Sequence, residues 1–128
     1  MKTNTEIRRT VGQFIQRMRS EKGLSVRQLS QATGMSPTYL SNIENGRYLF
    51  PTQYTQAFVK ALGLSGRERH LLYDVLAMTR DNRFEDIDEY LSRNETARNC
   101  IRLIILQENA PSVWDRIIQF LNGYDRDE

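Results

Sequence analysis

The 128-residue sequence has one cysteine, one histidine, one tryptophan and three prolines. A single thiol can form neither an intramolecular disulfide nor a multi-thiolate metal site. Cys100 falls in the apolar run Cys100-Ile101-Arg102-Leu103-Ile104-Ile105-Leu106, where a buried structural thiol is expected in preference to a redox sensor. No stretch approaches the roughly 18 apolar residues of a membrane span, and Met1-Lys2-Thr3-Asn4-Thr5 has no apolar signal core. The expectation is therefore a cytoplasmic protein with no membrane partner. The last 45 residues have no glycine-rich phosphate loop, nucleophile elbow or metal-ligand spacing, and the expectation is no enzyme, no cofactor and no bound metal. Glu85, Asp86, Asp88 and Glu89 crowd one helix without the glycine that a calcium loop needs, so they read as a solvated face. His70, beside Arg69, reads as a surface or half-buried residue and not as a ligand.

What is present is a division of charge. Residues 1–83 carry 13 Lys/Arg against 6 Asp/Glu, a balance of +7, whereas residues 84–128 carry 5 against 10, a balance of −5. A basic front half suits a polyanion such as double-stranded DNA, because each neutralised phosphate releases condensed counterions. Two solvated helix faces are the plainer alternative.

No segment alternates with period 2, but the 3.6-residue pattern recurs throughout, so the fold class is all-α. A first helix is expected from Glu6 to Lys22, with Val11, Phe14, Ile15 and Met18 inward and Gly23 as its stop. A second opens at Ser25, where Gln28 completes a capping box, carries Leu29 inward and ends at Gly34. The third opens at Ser36-Pro37, carries Leu40 and Ile43 inward and ends at Asn45-Gly46. A loop follows in which Tyr48, Leu49 and Phe50 read as anchors on the core. The fourth helix spans about Thr52 to Leu62; the fifth starts at Ser65 with Glu68 and buries Leu71, Leu72, Val75 and Leu76. Polar Asp81-Asn82-Arg83 then breaks the periodicity as the charge changes sign. This divides the chain into residues 1–80 and an acidic helical extension, 84–128. Three helical stretches follow, the last after Asn109-Ala110-Pro111 with Ser112 as its cap.

The informative stretch is Leu24 to Gly46, two short helices joined by a turn at Gly34. Leu24, Leu29, Ala32, Met35, Leu40 and Ile43 are spaced to hold the pair at a fixed angle. Gly34, Leu40, Ile43, Glu44, Gly46 and Pro51 together give a pattern that resembles the lambda-repressor-like, Cro-type helix-turn-helix family over about residues 7–79. The resemblance implies a five-helix DNA-binding domain followed here by a short helical C-terminal extension. It makes the helix from Pro37 to Asn45 the recognition helix and Glu44 an internal partner of Arg19. Thr38, Tyr39 and Asn42 are then the base-reading set, Thr38 and Asn42 one turn apart on the same side. Asparagine suits adenine N6/N7, and threonine suits thymine or mixed contacts. Pro37 departs from the family pattern, because the first recognition position here has no polar side chain. Ser25, Arg27, Ser36, Ser41, Asn45 and Arg47 are the candidates for the phosphate backbone, helped by helix N-termini.

The extension has more apolar residues than a one-sided stripe needs. Ile101, Ile104, Ile105, Trp114, Ile117, Ile118 and Leu121 are the expected dimerisation set, against the alternative that they fold back on the first domain. The functional expectation is a repressor that binds a short palindromic operator as a homodimer. One alternative is an antitoxin or anti-regulator whose C-terminal helices bind a protein partner. Another is a small-molecule sensor with a pocket among Tyr90, Trp114 and Phe120.

Overall fold

Four side-chain caps lay out the first half of the chain, each satisfying amide groups that a helix start leaves without partners. The computed structural model describes residues 3–107 and 110–124. Thr3 caps α1 (Asn4–Glu21): its Oγ1 accepts from the Glu6 amide at 3.1 Å, while Glu6 Oε2 accepts from the Thr3 amide at 2.9 Å. That box starts α1 two residues earlier than expected. Ser25 and Gln28 make the same reciprocal pair at α2 (Val26–Thr33), and Ser65 and Glu68 make it at α5 (Gly66–Ala77). Ser36 caps α3 (Pro37–Glu44) by accepting from the Tyr39 amide at 3.1 Å, with Pro37 in the first turn. The fourth helix differs from expectation. Thr52–Tyr54 forms a 3₁₀ turn, and the α-helix proper, α4, is Thr55–Leu62. The Thr55 hydroxyl donates to the Thr52 carbonyl at 2.7 Å and closes that turn.

These five helices enclose one core, in which Val11, Ile15, Leu29, Leu40, Ile43, Phe58 and Leu72 are fully buried. Phe50 drops in from the loop after α3 and meets Phe58 edge-on, with ring centroids 4.9 Å apart. Two expected core positions are corrected. Leu71 is 49% exposed, because the buried pair Leu72 and Leu76 sets the inward stripe of α5 and Leu71 lies about 100° round from it. Ala32 is exposed, and Ser30 and Thr33 are buried in its place. The Ser30 hydroxyl donates to the Met35 carbonyl, and Thr33 Oγ1 donates to the Leu29 carbonyl at 2.8 Å, so both buried polar groups are satisfied.

By internal contacts the chain forms two compact units, Met1–Asp86 and Ile87–Glu128. Before their junction, Asp81 and Asn82 take left-handed backbone conformations, and the Asn82 amide donates to the Ala77 carbonyl at 2.8 Å. Further on come α6 (Glu85–Arg93), α7 (Glu95–Ile105) and α8 (Ala110–Tyr124). Asn94 caps α7 by accepting from the Ala97 amide at 2.8 Å. Because α8 begins at Ala110, Ser112 lies in its first turn and not at its cap; Asn109 lies outside the described residues. Of the expected dimerisation set, Ile104 is buried and Ile101 and Ile117 are half-buried. Ile105, Trp114, Ile118 and Leu121 are exposed. Cys100 is exposed, contrary to the expectation of a buried thiol, although it lies one turn before the buried Ile104 on α7. Among the described residues there is no strand, and no helix is long and apolar enough to cross a membrane.

Candidate nucleic-acid interface

The position of α3 is set from behind. Leu40 and Ile43 are wholly buried, and Gly12 of α1 lets the two backbones approach closely. A Cβ at Gly12 would lie 2.3 Å from the Ile43 carbonyl oxygen, so only glycine fits there. Glu44, the last residue of α3, is buried and receives two hydrogen bonds from Arg19: Nε to Oε2 at 2.8 Å and Nη2 to Oε1 at 2.9 Å. The third arm of the guanidinium, Nη1, donates to the Leu24 carbonyl at 2.8 Å. Donating to the Glu44 carboxylate raises the Arg19 pKa above its ordinary value and holds the charge in place. One side chain thereby ties α1, the α1–α2 turn and the end of α3.

The opposite face of α3 points to solvent. Pro37, Thr38, Tyr39 and Asn45 are exposed, and Ser41 and Asn42 are half-buried. Thr38 and Asn42 occupy successive turns of one face. Ser25, Arg27, Ser36 and Arg47 are all exposed around this helix. The Ser25 and Ser36 hydroxyl oxygens accept from backbone amides, which leaves the hydroxyl proton to donate outward.

The loop after α3 departs from expectation. Phe50 alone of its three apolar residues is buried; Tyr48 and Leu49 are about half exposed, 48% and 47%. Tyr48 stacks on Tyr39, with ring centroids 5.4 Å apart and planes 29° from parallel. The pairing follows from the turn. Gly46 takes a left-handed conformation, after which the Arg47 and Tyr48 amides both turn back to the Asn42 carbonyl, at 2.9 and 3.4 Å. The Arg47 side chain follows the same path, and its Nη1 donates to Asn42 Oδ1 at 3.3 Å. On the far side of the turn, Arg8 Nε donates to the Gly46 carbonyl at 3.2 Å.

Sequence reasoning missed Tyr48, Arg8 and Gly12. The one local signal was Gly12 itself, since glycine inside a helix costs about 1 kcal/mol relative to alanine and needs a packing reason. Away from α3, His70 is exposed at the rim of a surface recess it shares with Gln56, Arg69, Tyr73 and Asp86. Glu85 pairs with Arg80 at 3.5 Å and Glu89 with Arg93 at 3.1 Å.

Residues 10–72 match a family described as helix-turn-helix domain. Over 43 residues the chain is 51% identical to the ImmF control region 10 kDa protein of Bacillus phage phi105. That stretch is 34% of this chain and 48% of the phage protein, so the chain spans about half the length of this relative. Among solved structures, the clp gene regulator ClgR from C. glutamicum is similar, with 29% identity and a TM-score of 0.46. The similarity covers 57% of this chain and 91% of that one.

Proposed function

Residues 10–72 belong to the helix-turn-helix domain family, and from that premise we propose that the chain is a sequence-specific transcriptional repressor. It places α3 in the DNA major groove and acts on a short palindromic operator as a homodimer. The observation that carries this reading is the two-sidedness of α3. Its inner side is fixed by Leu40, Ile43, Gly12 and the Arg19–Glu44 pair, and its outer side presents Thr38, Tyr39 and Asn42. A helix about 10–12 Å across fits a major groove about 12 Å wide, and base edges are read well only by side chains whose backbone is held rigidly.

In this reading, Thr38, Tyr39 and Asn42 meet base edges, while Ser25, Arg27, Ser36, Ser41 and Asn45 set register on the phosphates. The N-termini of α2 and α3 add amide groups and the positive ends of their dipoles. The excess of positive charge in residues 1–83 supports the polyanion as partner. The phage relative, named for a control region, agrees with a regulatory role. The second unit supplies the two-fold contact in this proposal, since α7 and α8 leave Ile105, Leu106, Ile118 and Leu121 exposed. The same surface favours a second reading, in which these helices bind a different protein.

Sedimentation of the purified chain, alone and with a randomised-duplex pool, tests the proposal at two salt concentrations. A dimer that enriches a palindrome is expected, with log affinity falling by about 0.9 per phosphate contact for each tenfold rise in salt. A monomer with no sequence preference at either salt would sink it and favour the protein-partner reading.

A further inference from the structure

We infer that Asn42 and Arg47 form one reading unit in which donors predominate, and that the base it selects is guanine and not adenine; this rests on the reading of α3 as a major-groove helix. An asparagine recognises adenine by presenting both halves of its amide to the base edge. Its oxygen accepts from N6, and its nitrogen donates to N7. In this chain the oxygen is turned elsewhere. Asn42 Oδ1 accepts from Arg47 Nη1 at 3.3 Å, and a guanidinium has only donors, which also fixes the orientation of the amide. Oδ1 keeps a second lone pair but is turned towards a charged donor, so the NH₂ group is the half of Asn42 left freer for DNA. Arg47 adds further N–H donors and no acceptor, so donors outnumber acceptors in the pair. Guanine is the base whose major-groove edge answers with two neighbouring acceptors, N7 and O6.

The arrangement is built into the backbone as well as the side chains. The Arg47 amide donates to the Asn42 carbonyl at 2.9 Å and the Tyr48 amide to the same oxygen at 3.4 Å, so the root of Arg47 is held one turn from Asn42. Beyond it, Tyr48 leans on Tyr39 of α3 and Phe50 is buried against Phe58. The segment Gly46–Phe50 is thus secured to α3 on one side and to the core on the other. Arg47 becomes a specificity-determining residue, where a solvent-facing arginine next to a recognition helix would ordinarily serve a phosphate.

Selection of duplexes from a randomised pool by the full chain and by two variants tests this. Asn42→Ala identifies the base pair read by position 42, as the one whose preference it relaxes. That pair is expected to be G·C for the native chain. Arg47→Ala frees Asn42 Oδ1, and is expected to cut the preference for guanine over adenine at that pair by at least about tenfold. Arg47 is exposed, so its removal leaves the core intact. If the relaxed pair is A·T in the native chain, the inference is overturned while the major-groove reading stands. It is likewise overturned if Arg47→Ala weakens binding to all sequences equally, the behaviour of a phosphate contact. No enrichment by the native chain overturns both the inference and the reading beneath it.

Discussion

Arg19 and Glu44 meet through two parallel hydrogen bonds of 2.8 and 2.9 Å, with the carboxylate almost wholly removed from solvent. A buried pair of this kind is expensive to break from one side, because the remaining charge keeps its desolvation cost and loses its partner. Arg19→Ala is expected to destabilise the first unit by about 3–5 kcal/mol in urea unfolding. Arg19→Lys recovers little of this, since an ammonium cannot serve two carboxylate oxygens and the Leu24 carbonyl with the same planar fork. Arg19→Met with Glu44→Leu is expected to cost less than Arg19→Ala alone. A double variant no more stable than Arg19→Ala would show that the pair does not act as a unit.

Gly12 lies two turns before Arg19 on the same face of α1, against the same end of α3. Its missing side chain leaves room for the backbone at the C-terminal end of α3, with the Ile43 and Glu44 carbonyl oxygens 2.3 and 2.7 Å from the place of a Cβ. Backbone atoms cannot swing aside, so Gly12→Ala must push α1 from α3. Alanine is the better helix former by about 1 kcal/mol, but crowding in a packed core costs typically about 1–3 kcal/mol, and here the contact is far shorter than van der Waals distance. Net destabilisation is expected in thermal unfolding, with a loss of DNA affinity larger than the loss of stability explains. An unchanged or raised Tm would contradict the close approach.

The helix starts that were legible in the sequence were those set by neighbours in the chain. Ser25 with Gln28, Ser36 with Pro37, and Ser65 with Glu68 each announce a cap within four residues. Thr3 with Glu6 has the same form and was overlooked, which placed the start of α1 two residues late. Which face turns inward was less legible, because it depends on partners far along the chain. Leu71 loses the inward place to Leu72 and Leu76, and Cys100 is exposed one turn before the buried Ile104. The outer face of α3 was visible as a set, since Leu40 and Ile43 fix the inner one. The engagement of Asn42 by Arg47 and of Tyr39 by Tyr48 was not, because it depends on the return of the chain at Gly46.

Acid should reveal the link between α1 and α5. Glu68 Oε1 accepts from the Ser65 amide at 2.9 Å and from Lys22 Nζ at 3.0 Å, and these contacts hold its carboxyl below the ordinary 4.5. A carboxylate with a lowered folded pKa contributes stability that is present above the ordinary value and lost as pH falls through the folded one. Glu68→Gln keeps an acceptor for the Ser65 amide but loses the charge. The native chain is therefore expected to exceed this variant in urea midpoint at about pH 7 and to converge with it in acid, once the pH lies below the lowered folded value. A gap of the same size at both would assign the effect to packing and not to ionisation.

The apolar residues of α7 and α8 divide into two groups that should behave differently on substitution. Ile104 is 8% exposed, whereas Ile118 and Leu121 are each 55% exposed on α8. If the outer group forms the two-fold contact, Ile118→Asp with Leu121→Asp should leave the monomer folded and abolish self-association. Burial of each such side chain contributes about 1.5–3 kcal/mol, so the dimer constant should weaken by more than about a hundredfold in sedimentation equilibrium. Operator binding should then fall because two half-sites are no longer engaged together, while affinity for one half-site stays the same. Ile104→Asp should instead lower helix content, because it places a charge at a buried position of α7. If the Ile118 and Leu121 double variant sediments as the native chain does, these residues lie outside the two-fold contact. If the native chain is monomeric even at high concentration, the exposed face of α8 serves a different protein.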